Sequence, residues 1–238
     1  MIAELIAYGV ITNDDDVWNK DNIDDYVVPS KFSAAVKELK SGDQLNIYVN
    51  SPGGDVMAAT AMSSIIQRAK SRGVTVNAYI DGYAASAASF LVMAADNVYA
   101  YSSSMMMIHK PYTWFVGNAD EMRKEAETLE KIEDSTCIPL YMEKANVSED
   151  EIKQLLRDET WMGAKQMSEV FNISLISGNA PNAKATNAVT QQCIDRYKSF
   201  PQALKTKYLN SATKDKEGTK EGGNDLSAFF DAIELLKL

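Results

Sequence analysis

A strand, a break and a helix follow one another three times in the first 95 residues, and that order leaves few folds open. The first unit runs from an apolar strand, Leu5 to Thr12, through the acidic turn Asp14-Asp15-Asp16 to a helix over Pro29 to Lys40. Phe32, Ala35, Val36 and Leu39 share one face of that helix. The second unit has the alternating strand Gln44 to Asn50 and the break Ser51-Pro52-Gly53-Gly54. Asp55 then opens a helix carried through Met57, Met62, Ile65 and Ile66 to Lys70. The third has a strand over Val74 to Ile80, a break at Asp81-Gly82 and a helix of small residues over Ala84 to Ala95. Two short strands, Asn97 to Tyr101 and Met105 to Ile108, lead to His109. Strands alternating with helices predict an α/β layer structure, and such folds place their sites at strand ends. No sequence repeat stands out beyond this rhythm.

The second half is helical and then changes character. From Asn118 to about Ala145 one long helical stretch puts Ala119, Met122, Ala126, Leu129 and Ile132 at three- and four-residue steps. That face suits either a neighbouring subunit or the core. Pro139 kinks or restarts the helix. Ser148 with Glu151 three residues on is a capping-box pattern for a shorter helix ending near Arg157. Glu159 to Met162 reads as extended, and a helix over Ala164 to Val170 closes the compact part. Residues 1–178 form one domain on this reading, and 179–238 a flexible tail. Within the tail, Asn179 to Thr190 and Lys214 to Asn224 read as linkers, and Cys193 to Leu209 as a weak helix interrupted by Pro201. Asp225 caps a terminal amphipathic helix with Leu226, Phe229, Phe230, Ile233, Leu236 and Leu238 on one side, a pattern that docks on a partner.

Composition excludes several classes. A net charge of -9 repels phosphate backbones, which argues against generic nucleic-acid binding. No apolar run approaches the length of about 18 residues that spans a bilayer. Glu4 falls where a signal peptide's apolar stretch belongs, so the chain reads as cytoplasmic, with no membrane partner. Cys137 and Cys193 lie far apart without metal-ligand neighbours and read as reduced thiols. No metal or cofactor is called for. His109 is the only histidine, and so the only imidazole available to an enzyme mechanism.

A serine hydroxyl needs a base within reach, a group to orient that base, and donors for the oxyanion. Ser86, in Gly82-Tyr83-Ala84-Ala85-Ser86-Ala87-Ala88-Ser89, sits in the first turn of a helix, where small neighbours admit a substrate backbone. His109 ends an apolar strand 23 residues later (109 − 86) and can return to the serine across one helix and two strands. Gly53 and Gly54 let a backbone N–H point into a site and let substrate lie alongside. The Gly-Lys-Ser/Thr ending of a phosphate loop is absent. Asp158 and Glu159 are the candidate acids. Read singly, the segments also fit a close-packed helix start, a satisfied strand-end histidine and a tight turn.

In series, Asn50-Ser51-Pro52-Gly53-Gly54, Gly82-x-Ala84-Ala85-Ser86 and Met107-Ile108-His109-x-Pro111 resemble the Clp protease proteolytic subunit family over roughly residues 1–178. The resemblance implies a Clp/crotonase-type spiral of β-β-α units and a homo-oligomeric ring acting on protein or peptide substrates. It implies Ser86 as nucleophile, His109 as base, and the Gly54 and Ala87 N–H groups as oxyanion hole, with Gly53 beside the substrate. Aligning Trp161 and Gly163-Ala164 with the family pattern puts Glu159 where the family has Asp, and Asp158 stays as the alternative acid. Lys110 stands where the common cellular form has Gln, the N-terminal segment lacks clear unfoldase-facing pore loops, and the long tail is foreign to the cellular enzyme. These departures resemble the phage head maturation, or prohead, branch. They imply an ATP-independent serine endopeptidase that trims capsid and scaffold proteins, in host cytoplasm or prohead. The alternative is a housekeeping subunit working with an AAA+ unfoldase. Further rivals are a scaffolding protein with a vestigial site and a crotonase-like acyl-CoA enzyme.

Overall fold

The computed structural model describes residues 1–17 and 26–177. The expectations for the linkers, the helix over 193–209, Cys193 and the terminal apolar helix fall outside these residues. The first half comprises β1 (Ile2–Tyr8), β2 (Val10–Ile11), β3 (Tyr26–Val27), α1 (Pro29–Val36), β4 (Gln44–Ser51), α2 (Val56–Ser71), β5 (Thr75–Ala85), α3 (Ala88–Ala94), β6 (Asn97–Tyr101) and β7 (Met105–Ile108). The second half comprises α4 (Ala119–Ile132), α5 (Ile138–Met142), α6 (Glu149–Arg157), β8 (Thr160–Gly163), α7 (Ala164–Val170) and β9 (Ser174–Ile176).

Strands β1, β4, β5, β6 and β9 are parallel neighbours in that order, so each strand–helix unit adds the next strand on the same side. This is a mixed α/β fold with a mostly parallel sheet. Period-two alternation sends Leu5, Ala7, Leu45, Ile47, Val49, Val76, Ala78, Ile80, Val98 and Ala100 to one face, where α1, α2 and α3 cover them. Gly9, at φ +104°, separates β1 from β2, and its N–H donates to the Asn50 carbonyl. Asp55 caps α2, its carboxylate accepting the Ala58 N–H at 2.6 Å. Among the described residues no helix is long and apolar enough to cross a membrane.

The expected break at Asp81-Gly82 does not occur, nor does a helix start at Ala84. β5 continues through both positions to Ala85, and α3 begins only at Ala88. The reason is tertiary: residues 77–80 of β5 pair with β6, whereas 83–85 pair with β7. Two successive ladders hold the segment extended against the helix preference of its alanines. Asp81 is buried within the strand, where its carboxylate accepts the Tyr8 hydroxyl at 2.6 Å.

The long helix is also interrupted. α4 gives way to a π turn over Glu133–Cys137, in which the Ile138 N–H reaches back to the Glu133 carbonyl before α5 begins. Pro139 has no N–H for the Ser135 carbonyl and its ring needs room there, so the ladder slips by one residue. Among the described residues α4 has none fully buried and Met122 is 51% exposed, while Ile132 at its end packs against the core.

A repeat that the linear reading passes over is visible on the other face of the sheet. Asn46-Ile47-Tyr48, Asn77-Ala78-Tyr79 and Asn97-Val98-Tyr99 stand in register on β4, β5 and β6. Asn97 donates to Asn77 and Asn77 to Asn46, each at 2.9 Å. The three tyrosine rings stack with centroids 5.2 and 4.9 Å apart. Tyr79→Ala removes the middle ring and both stacks, so it is expected to destabilise the fold by about 1–3 kcal/mol. Chemical denaturation measures this, and an unchanged midpoint contradicts it.

Candidate active site

Ser86 follows β5 with φ +54°, a left-handed backbone that costs a non-glycine residue roughly 1–3 kcal/mol. Hydrogen bonds on both sides hold it. The Ser86 N–H donates to the Met107 carbonyl at 2.8 Å, and the Ser86 carbonyl accepts the Ser89 N–H at 2.9 Å. The turn lifts the side chain out of the sheet at the mouth of α3 and directs it toward the end of β7.

His109 arrives there because β7 runs parallel to β5 with Ala84 opposite Met106 and Ala85 opposite Met107. Its Nε2 lies 2.7 Å from Ser86 Oγ. With the neutral imidazole's proton on Nδ1, Nε2 accepts the serine hydroxyl. Burial holds the imidazole below its ordinary pKa of 6.5, and the Glu159 charge opposes that shift. The Tyr112 ring lies 5.4 Å from the imidazole.

β8 runs antiparallel to β7 and ends the ladder with Ile108 opposite Thr160, so the next residues outward are His109 and Glu159. Glu159 carries φ +49°, and among the described residues it shares a left-handed non-glycine backbone only with Ser86. It follows the C-cap Asp158 of α6, a position usually held by glycine. Asp158 itself is exposed, and its carboxylate accepts from the Gln154 side chain at 2.8 and 2.9 Å.

The glycine turn closes the other side. Gly53, at φ +85°, lies so close to the serine turn that a Cβ would stand 2.5 Å from the Ala85 carbonyl and 2.9 Å from the Ala87 nitrogen. A Cβ on Gly54 would strike the Ile11 carbonyl. The Ile11 N–H donates to the Gly53 carbonyl at 2.9 Å, and the Asp55 N–H to the Ile11 carbonyl at 3.0 Å. This parallel bridge leaves the Gly54 N–H facing the opposite way. A cleft of about 390 Å³ results, lined by Pro52, Gly53, Gly54, Val56, Ser86, His109 and the segment Pro111–Trp114.

That last segment is missing from the sequence reading. Tyr112, Trp114, Phe115 and Val116 are 42–74% exposed beside the cleft. Three aromatic residues in four positions, fitting neither strand nor helix period, were the available signal. Lys110 has a defined partner: its ammonium lies 2.7 Å from the carboxylate of Glu133, which is buried at the π turn.

A mostly parallel α/β sheet with a serine and an imidazole in contact at its strand ends is the arrangement of a hydrolase. The Clp protease family matches residues 6–176, and the chain belongs to that family of serine peptidases. Two similar proteins are both called ATP-dependent Clp protease proteolytic subunit 2. The one from Treponema denticola is 30% identical over 146 residues, 60% of this chain and 71% of that protein. The one from Treponema pallidum is 30% identical over 141 residues, 58% of this chain and 69% of its own length. The ATP-dependent Clp protease proteolytic subunit of Bacteroides fragilis is 27% identical over 173 residues, 71% of this chain and 81% of that protein.

Replacing Glu159 by glycine relieves the left-handed backbone at the end of α6. Glu159→Gly is expected to raise the unfolding free energy by about 1 kcal/mol. A denaturation midpoint below wild type would show that the carboxylate's contacts outweigh the backbone strain.

Proposed function

We propose that the chain is a serine endopeptidase with Ser86 as nucleophile, His109 as general base and Glu159 as the acid that orients the imidazole. The observation that carries this reading is the 2.7 Å contact between His109 Nε2 and Ser86 Oγ at the floor of a cleft bounded by Gly53 and Gly54. Nε2 takes the hydroxyl proton as Oγ bonds to the scissile carbonyl carbon. The N–H groups of Gly54 and Ala87 hold the resulting oxyanion. The imidazolium returns the proton to the leaving amine as the C–N bond breaks, leaving an acyl-enzyme. Water, deprotonated by the same imidazole, then releases the acid and restores Ser86. Substrate backbone lies along Gly53, where no side chain intervenes. Glu159 is favoured over Asp158 because its charge acts on His109, while Asp158 is engaged with Gln154.

In the finer reading, the peptidase unit spans residues 1–178 and works without ATP on capsid and scaffold proteins during phage head maturation, in host cytoplasm or prohead. Residues 179–238 form an extension that docks on such partners. The long extension, Lys110 and Glu159 in place of the family's common residues support it. Among the described residues the apolar face of α4 around Met122 is exposed, which supports assembly of copies into a ring. The names of the similar proteins favour a second reading, a proteolytic subunit that depends on an ATP-driven unfoldase. Cleavage of a scaffold-type protein by the full chain without ATP distinguishes the two; degradation only with ATP and an unfoldase selects the second.

Ser86→Ala is expected to abolish peptide cleavage and fluorophosphonate labelling while keeping the melting midpoint, and labelling that persists would falsify the assignment. The pH dependence has a definite sign. Protonation of His109 removes the base, and burial lowers its pKa, so the acid limb of kcat/KM should have its midpoint below pH 6.5. Glu159→Gln removes the charge that raises that pKa, so the acid limb should move lower still while kcat drops. A limb with its midpoint above pH 6.5, or one that rises in the variant, contradicts this electrostatic account.

A further inference from the structure

Beneath Ser86, two buried hydroxyls connect the serine turn to the helical layer. Ser89 Oγ lies 2.6 Å from the Ser86 carbonyl oxygen and 2.8 Å from the Tyr141 hydroxyl. Ser89 is fully buried and Tyr141 is 1% exposed. A serine hydroxyl has one proton. Here it points at the Ser86 carbonyl, so Tyr141 is the donor in the second contact. The carbonyl thus accepts both the Ser89 N–H and the Ser89 hydroxyl.

The Ser86 carbonyl and the Ala87 N–H belong to one peptide unit, which is planar and trans, so they point in opposite directions on a rigid plate. Neither β5 nor α3 includes Ser86, so beyond the Ser86 N–H bond to Met107 the plate is held by what its carbonyl binds. From this geometry we infer that Ser89 and Tyr141 are positioning residues that lock the Ser86–Ala87 peptide with its N–H toward the oxyanion. The inference rests on the serine peptidase reading.

Rotation of the plate would withdraw the donor and bring a carbonyl oxygen toward the developing negative charge. Tyr141 is suited to its place. The Phe90 ring stands nearly perpendicular to its ring, with centroids 5.8 Å apart and an angle of 80°, Phe171 lies at 6.0 Å, and burial pushes the phenol's pKa up so that it keeps its proton. Tyr141 also enters the core on the helix that restarts after the π turn, which makes that irregularity part of the site's support.

The test compares the full-length wild type with Ser89→Ala, Tyr141→Phe, the double variant and Ser86→Ala. Fluorophosphonate inactivation is resolved into binding and a maximal rate. Losing an oxyanion donor outright lowers rates by about 10²–10³-fold. Ser89→Ala keeps the donor and the Ser89 N–H bond but loses the hydroxyl that completes the lock, so its maximal rate should fall about 10-fold. Inhibitor binding should stay within about two-fold of wild type and the acid limb of the pH profile should not move, since His109 is untouched. Tyr141→Phe should show a smaller loss of the same kind. The double variant should match Ser89→Ala, because the tyrosine acts through the serine. A Ser89→Ala rate equal to wild type overturns the proposal. So does a loss of binding and rate together with a fall in melting temperature, which marks a purely structural role, and so do additive single losses. If Ser86→Ala is inert and Ser89→Ala is wild type, positioning alone fails. If Ser86→Ala still reacts, the peptidase reading and this inference fail together.

Discussion

The site depends on how the upper end of β5 is held. Its last residues leave β6 and pair with β7, and the ladder is extended by the Ser86 N–H bonding to the Met107 carbonyl at 2.8 Å. That bond fixes the left-handed turn at Ser86 and, through the same pairing, the distance from His109 to the serine. Gly53 then fits against the turn because it has no side chain to collide with Ala85, Ser86 or Ala87. A site held by strand pairing is positioned more precisely than one carried on loops.

Strain and desolvation fall at the same place. The two left-handed non-glycine residues among those described are Ser86 and Glu159, one on each side of His109 in the chain's return path. Such conformations persist only where surrounding structure overdetermines them, and their grouping around one imidazole is a physical reason to look for function there. The imidazole is balanced between burial, which disfavours its charged form, and the Glu159 carboxylate, which favours it. A base that accepts a proton in the transition state and holds it briefly needs both influences.

Support reaches inward as well. Lys110, next to the imidazole, pairs with Glu133 at the π turn, and Tyr141 follows the same turn into the core. The outer surfaces differ in kind. Among the described residues Met122 of α4 stands exposed, as do Trp114 and Phe115 beside the cleft. Apolar surface of this type is characteristic of chains that meet other chains.

The sequence by itself determined the strand–break–helix order, the two short strands before His109, the Asp55 cap and the three motifs, because alternation, turn residues and caps act over a few neighbours. It misplaced the end of β5 by predicting a break at Asp81-Gly82. The Asn-apolar-Tyr repeat also passed unread. Each of these turns on register between segments far apart in the chain. Whether Gly82 bends or extends depends on β7, and three tyrosines form a column only when their strands align. Tertiary structure decided these because hydrogen-bond ladders sum over many residues and outweigh local preferences of under about 1 kcal/mol each.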